Sequence, residues 1–148
     1  MTTLNFTEIS ARFFVSKQIS VAEVESAAAQ GITTIICNRP DNELPNQPQA
    51  SDIAAAASSA GIEFLHIPIV FASISAQDID EFSVALRSAK GSILAYCGSG
   101  MRSTALWALA EARSMDCDAI LTTARNAGYD LTELRPILLK IYETHVVV

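Results

Sequence analysis

The sequence predicts an α/β fold, a mostly parallel central sheet flanked by helices. Three observations carry that prediction. Short apolar runs alternate with alanine-rich helical segments along the 148 residues, the order that builds a parallel sheet covered by helices. The run ITTIIC, residues 32–37, is β-branched or apolar at successive rather than alternate positions, as suits a strand buried on both faces. The helical segments also carry their own start and stop signals, Ser-x-x-Glu or Ser-x-x-Asp before them and glycine after them.

Taken in order, residues 12–18 (RFFVSKQ) read as a short strand. Ser20 and Glu23 form a capping-box signature for a helix that stops at Gly31. ITTIIC follows, and then NRPDNELPNQPQ, whose three prolines and several Asn and Asp residues demand a loop. Ser51 opens a second alanine-rich helix closed by Gly61. Residues 62–70 (IEFLHIPIV) are the next strand, with Pro68 ending its paired part. Ser75 and Asp78 cap a helix over residues 78–89, and SILAYC, residues 92–97, is a further strand. Helices are expected at 103–114, at 117–127 with Gly128 as its stop, and at 136–144. In sheets of this kind ligands bind beyond the carboxyl ends of the strands. Cys97 lies at one such end, and Asn38-Arg39-Pro40-Asp41 at another.

Length and composition favour one domain over residues 1–148. A chain this long buries roughly two-thirds of its unfolded surface and needs no staples. A net charge of −6 argues against a nucleic-acid or anionic-membrane surface, since both call for basic patches. The three cysteines, Cys37, Cys97 and Cys117, have neither disulfide nor zinc spacing. Reduced thiols suggest a cytoplasmic location. The opening MTTLNFTEISARFF lacks a basic segment followed by a long apolar run, so no signal peptide is expected. No apolar stretch reaches the ~18 residues of a membrane span, and no metal or cofactor is expected.

The chemistry concentrates in YCGSGMRSTALWALA, residues 96–110. A strand that passes to a helix through a glycine-rich turn can point successive N–H groups inward as an anion nest, reinforced by the helix dipole. Gly98 and Gly100 allow the positive φ that such a turn needs, and Ser99 and Met101 complete the loop. Arg102 can grip an oxyanion with its planar fork, and Ser103 can cap the helix or hydrogen-bond a thiolate. Helix N-termini and nearby cations bring cysteine pKa values down to ~3.5–7.5, so a cysteine in that field should be a nucleophile. Arg39 is either a further cation for the pocket or a loop arginine paired with Asp41 or Glu43. Cys37 and Cys117 read as structural, His66 as a hydrogen-bonded core histidine, and Trp107 as packing.

These residues resemble the loops of the protein tyrosine phosphatases and of the rhodaneses. The chain as a whole is similar to the beta-lactamase hydrolase-like protein family, in its phosphatase-like domain. FFVSKQI, GITTIICNRPDNELPNQP, HIPIV, YCGSGMRSTALWALA and the Ala-Gly-Tyr-Asp-Leu stretch at 127–131 carry that resemblance. It implies a fold like that of the dual-specificity phosphatases. It also implies a sulfur dioxygenase as a partner, since members occur alone or joined to a metallo-β-lactamase-like enzyme of that kind. Members often have Arg directly after the cysteine, where this chain has Gly98.

Two features move the expected cargo from phosphate to sulfur. Four residues separate Cys97 from Arg102, whereas tyrosine phosphatase loops have five there, and the shorter loop resembles that of the rhodaneses. Dual-specificity phosphatases also place an acidic residue just after the strand that here reads HIPIV, where this chain continues Phe71-Ala72-Ser73-Ile74-Ser75. Asp41 and Asp78 are the remaining candidates for that acid. The sequence therefore favours a sulfurtransferase that passes sulfane sulfur from thiosulfate or a persulfide through a Cys97 persulfide to a thiol acceptor such as glutathione. A phosphatase acting on phosphate esters through a Cys97 phosphocysteine ranks second. A non-catalytic module that senses anions or persulfides ranks third.

Overall fold

The computed structural model describes residues 5–145. The extreme ends of the 1–148 unit expected from the sequence lie outside them. Among the described residues five strands form one sheet: β1 (Thr7–Ser10), β2 (Phe13–Ser16), β3 (Ile32–Cys37), β4 (Glu63–His66) and β5 (Ser92–Tyr96). Their spatial order is β1-β2-β5-β3-β4. β2, β5, β3 and β4 run parallel, and β1 pairs antiparallel with β2. The sheet is thus mixed by a single strand, β1, which the sequence did not announce. Its TEIS is polar at every position but Ile9 and partly exposed at the sheet edge, so it lacks the apolar run that marks the others.

Among the described residues six α-helices cover the sheet: α1 (Val21–Ala29), α2 (Ala50–Ser59), α3 (Ala76–Ser88), α4 (Met101–Glu111), α5 (Cys117–Asn126) and α6 (Arg135–His145). Both expected capping boxes form, Ser20 with Glu23 and Ser75 with Asp78. Two starts differ from expectation. α2 begins at Ala50 rather than Ser51, because Asp41 Oδ1 accepts from the Ala50 N–H at 2.7 Å. α4 begins at Met101, two residues before Ser103, because its cap is Gly100 in the left-handed region with no side-chain bond. The expected strand 62–70 is paired only as far as His66; Ile67 and Ile69 then send their N–H groups to the carbonyls of Cys37 and Asn38.

Alternation along the strands divides the core into two halves. Leu94 and Tyr96 of β5, with Ile35 and Cys37 of β3, pack against Val24 and Ala27 of α1 and Ile53 and Ala57 of α2. Ile93 and Ala95, with Ile36 of β3, face α3, α4, α5 and α6. α4 is buried at every position from Ser103 to Ala110, as befits a helix enclosed between a sheet and other helices. β5 is the central strand, so its carboxyl end opens at the middle of the sheet edge. Among the described residues no helix is long and apolar enough to cross a membrane.

Tyr96 is the weak point of this packing. Its ring is 1% exposed, and its hydroxyl, beside Cys37 Sγ, finds no hydrogen bond of ordinary geometry. A buried hydroxyl without a partner costs about 1–3 kcal/mol in desolvation. Tyr96→Phe is therefore expected to leave stability unchanged or to raise it by about 1 kcal/mol, read from the midpoint of urea unfolding.

Candidate active site

Cys97 follows β5 and is 1% exposed. Continuing the alternation past Tyr96 directs its side chain to the α4 side of the sheet. The chain then turns through Gly98, Ser99 and Gly100 into α4. At Gly100 φ is +97, a region that favours glycine. The turn brings the Gly100 N–H onto Cys97 Sγ at 3.0 Å. Gly100 carbonyl then accepts from the Thr104 N–H and Thr104 Oγ1, which starts the helix. Ser99 Oγ accepts from the Met101 N–H at 3.3 Å, and Met101 is half-buried in the first turn.

Arg102 stands in that first turn. Its Nη1 and Nη2 donate to the two carboxylate oxygens of Glu43 at 2.7 and 2.8 Å, and Nη1 also donates to the Ile69 carbonyl. Glu43, then Cys97, hold the guanidinium above its ordinary pKa. Arg39 Nε donates to the same carboxylate at 2.9 Å, and its Nη1 donates to Gln18. A Cβ at Gly98 would lie 3.5 Å from Arg102 Nη2 and 3.7 Å from Arg39 Nε. A side chain at Gly98 would therefore start in contact with both guanidinium groups. Arg39 thus pairs with Glu43, one of the two partners expected of a loop arginine, and its guanidinium also flanks the Cys97 loop.

The other candidates fall elsewhere. Ser103 is fully buried and donates to Asn38 Oδ1 at 2.8 Å, so it neither caps α4 nor gives its proton to Cys97. Asn38 in turn donates to the Ile67 carbonyl, tying the ends of β3, β4 and α4 together. Asp41 is engaged as the cap of α2, and Asp78 as a member of the α3 capping box. Cys37 packs with Tyr96 on the α1–α2 side of the core and donates to the Arg39 carbonyl. Burial pushes the thiols of Cys37 and Cys117 up, and all three cysteines are free. His66 Nε2 lies 3.1 Å from the Arg39 carbonyl. Among the described residues no cluster of three His, Cys, Asp or Glu is placed to hold a metal.

Glu43 is the residue whose place at the site was not foreseen. Its only sequence signal is a carboxylate four residues after Arg39 in NRPDNE; its bond to Arg102 spans 59 positions. The two arginines, Arg102 first, bring its pKa down to about 2. The cluster thus holds one carboxylate, ionised, between two cations.

A sheet of this order with a cysteine at its central carboxyl edge, a glycine turn and an arginine in the following helix defines the phosphatase-like α/β class. The kinase associated phosphatase, solved with its catalytic-site cysteine replaced by serine, shares the fold: TM-score 0.77 over 99% of this chain and 98% of that one, at 13% identity. The chain belongs to the beta-lactamase hydrolase-like protein family, phosphatase-like domain, whose family model matches residues 5–114. A beta-lactamase hydrolase-like protein of Xylella fastidiosa strain Temecula1 is 35% identical over 130 residues, 86% of this chain and 30% of that protein. The chain thus spans about 30% of the length of that relative. A candidate phosphatase from Neisseria meningitidis Z2491 is 34% identical, with TM-score 0.81 over 91% of this chain and 96% of that one.

Two predictions follow from the carboxylates. Asp41→Ala removes the acceptor of the Ala50 N–H at the start of α2, and Asp78→Ala removes the N3 half of the α3 capping box; each should cost about 1 kcal/mol in urea unfolding. Glu43, held at about 2 against an ordinary 4.5, stabilises the fold above pH ~4.5 and loses that contribution as pH falls through about 2. Glu43→Gln should thus lower stability at pH 7 by on the order of 1 kcal/mol, with the carboxylate a third exposed and partly screened. The difference from wild type should close between about pH 4.5 and 2 in the same assay.

Proposed function

We propose that the chain is a cysteine-dependent phosphatase for small phosphorylated substrates with acidic leaving groups. One juxtaposition carries this reading: Cys97 Sγ receives the Gly100 N–H at 3.0 Å while Arg102 faces it from the first turn of α4. Similarity to the Neisseria candidate phosphatase across 91% of the chain supports it. So does the family match.

In the first step the Cys97 thiolate attacks phosphorus. An S–P bond forms, the P–O bond to the leaving group breaks, and that oxygen departs with the electron pair. Loop N–H groups and the free edge of Arg102 receive the non-bridging oxygens. In the second step water attacks phosphorus, the S–P bond breaks, and phosphate and the thiolate are released. Asp41 and Asp78 are engaged as caps, and Glu43 is held ionised by two arginines. No carboxyl group at the resting site is thus ready to protonate a poor leaving group, which is why the proposal is confined to acidic ones.

That same observation supports a second reading, sulfur transfer. When the thiolate attacks the outer sulfur of thiosulfate, the S–S bond breaks and sulfite leaves as a stable anion without an acid. A thiol acceptor would then take the sulfur from the Cys97 persulfide, with a sulfur dioxygenase as a downstream partner. The three free, buried thiols suit a reducing, cytoplasmic setting for either chemistry.

A paired assay separates the readings. An aryl phosphate is supplied in one tube and thiosulfate with cyanide in another, to wild type, Cys97→Ser and Arg102→Lys. The phosphatase reading expects phosphate release that falls at least about 10³-fold in Cys97→Ser and on the order of 10²–10³-fold in Arg102→Lys. Thiocyanate formation that needs Cys97, with no phosphate release, would replace it by sulfur transfer. Silence in both tubes with retained anion binding would leave a sensing module.

A further inference from the structure

Tyr129 belongs to the 127–131 stretch and has no part in the chemistry above. Its position is set from a distance. Asp116 caps α5, and at the other end Ala127 and Gly128 close it. Gly128 has φ +98, its N–H donates to the Arg125 carbonyl at 2.9 Å, and the Tyr129 N–H reaches back to the Ala124 carbonyl at 2.9 Å. This is the Schellman arrangement, which fixes the path of the residue after the glycine. Tyr129 then packs its half-buried ring on the α4 side of the core.

From there Tyr129 Oη donates to the Ser99 carbonyl at 3.2 Å. That carbonyl belongs to the same peptide unit whose N–H, on Gly100, meets Cys97 Sγ at 3.0 Å. A peptide unit is planar, with its C=O and N–H pointing opposite ways, so holding the oxygen aims the nitrogen. The need for a hold is real, since the unit ends in a glycine that can rotate freely. Gly100 also matches the tyrosine sterically, because a Cβ there would overlap Tyr129 Oη.

We propose that Tyr129 is a positioning residue whose hydroxyl locks the Ser99–Gly100 peptide with its N–H on Cys97 Sγ. Burial, and then the nearby Cys97 sulfur, raise the pKa of the phenol, so the hydroxyl stays protonated and keeps donating. The proposal rests on Cys97 as the reactive thiol, but it is indifferent to whether phosphate or sulfur is carried.

The test reads the thiol without any substrate, so its failure is distinct from failure of the phosphatase reading. The full chain and Tyr129→Phe are alkylated with iodoacetamide between pH 5 and 9, and Cys97 modification is followed by peptide mass. Loss of the hydroxyl should move the profile to higher pH by about half a unit. Below the midpoint that slows alkylation about threefold. Thermal unfolding checks that the variant is folded. A folded Tyr129→Phe whose profile superimposes on wild type overturns the proposal. Native-state hydrogen exchange on the wild type is a second measurement that needs no variant. The Gly100 amide should be protected, and exchange at the free-peptide rate would overturn it too.

Discussion

A single backbone N–H aimed at a buried sulfur organises this molecule. For the Gly100 N–H to reach Cys97 Sγ, the chain must reverse within three residues, which puts Gly100 at φ +97. The same reversal makes Gly100, not a side chain, the cap of α4 and begins the helix at Met101. It also aims the first turn of α4 at the sulfur, adding its unpaired N–H groups and dipole to the field there. A helix that starts at the middle of a sheet edge must run across the middle of the sheet. That is why α4 is buried on every side from Ser103 to Ala110, and why α3 and α5 are needed to cover it.

The charge at the site runs against the charge of the chain. The net charge is −6, yet Arg39 and Arg102 converge on one carboxylate beside the thiol. Distance decides which effect an arriving anion feels. Two unit charges 4 Å apart interact by about 4 kcal/mol at an effective dielectric near 20. Surface charges beyond about 8 Å are largely screened at physiological salt. The arginines, 8% and 16% exposed in their side chains, therefore dominate locally. Glu43 cancels one of the two charges and fixes both guanidinium groups in place, which leaves one positive charge to face the Cys97 sulfur without two free, mobile arginines.

What could be read in the sequence was what is local. The capping boxes at Ser20 and Ser75 span three residues each, and the glycines after the helices act on their own turn, so both were legible. The buried runs of β3 and β5 were legible because a strand covered on both faces leaves no polar alternation. The elusive features depend on partners far along the chain. Asp41 looks like a loop carboxylate until the structure closes it onto Ala50, nine residues on. Ser103 looks like a cap until a backbone cap displaces it and Asn38, 65 residues away, accepts its proton. Glu43 and Tyr129 reach the loop across 59 and 30 positions, and their neighbourhoods do not announce those distant partners.

For the proposed chemistry, leaving-group acidity is a tighter constraint than loop size. The number of residues between Cys97 and Arg102 sets how many N–H groups surround the sulfur, but a tetrahedral oxyanion and a persulfide both use such donors. A proton donor is a sharper requirement. General acid help to an alkoxide or phenoxide is worth roughly 10²–10⁴ in rate, and it needs a carboxyl that holds a proton near neutral pH. Glu43 is held at about 2 by its two arginines, so in the resting site it is ionised throughout the physiological range. An arriving dianion that took Arg102 for itself would weaken that hold and bring a negative charge to Glu43, and both changes favour its protonation. Whether a substrate can draw Arg102 away from Glu43 therefore decides whether the site acquires an acid or stays confined to groups that leave unaided.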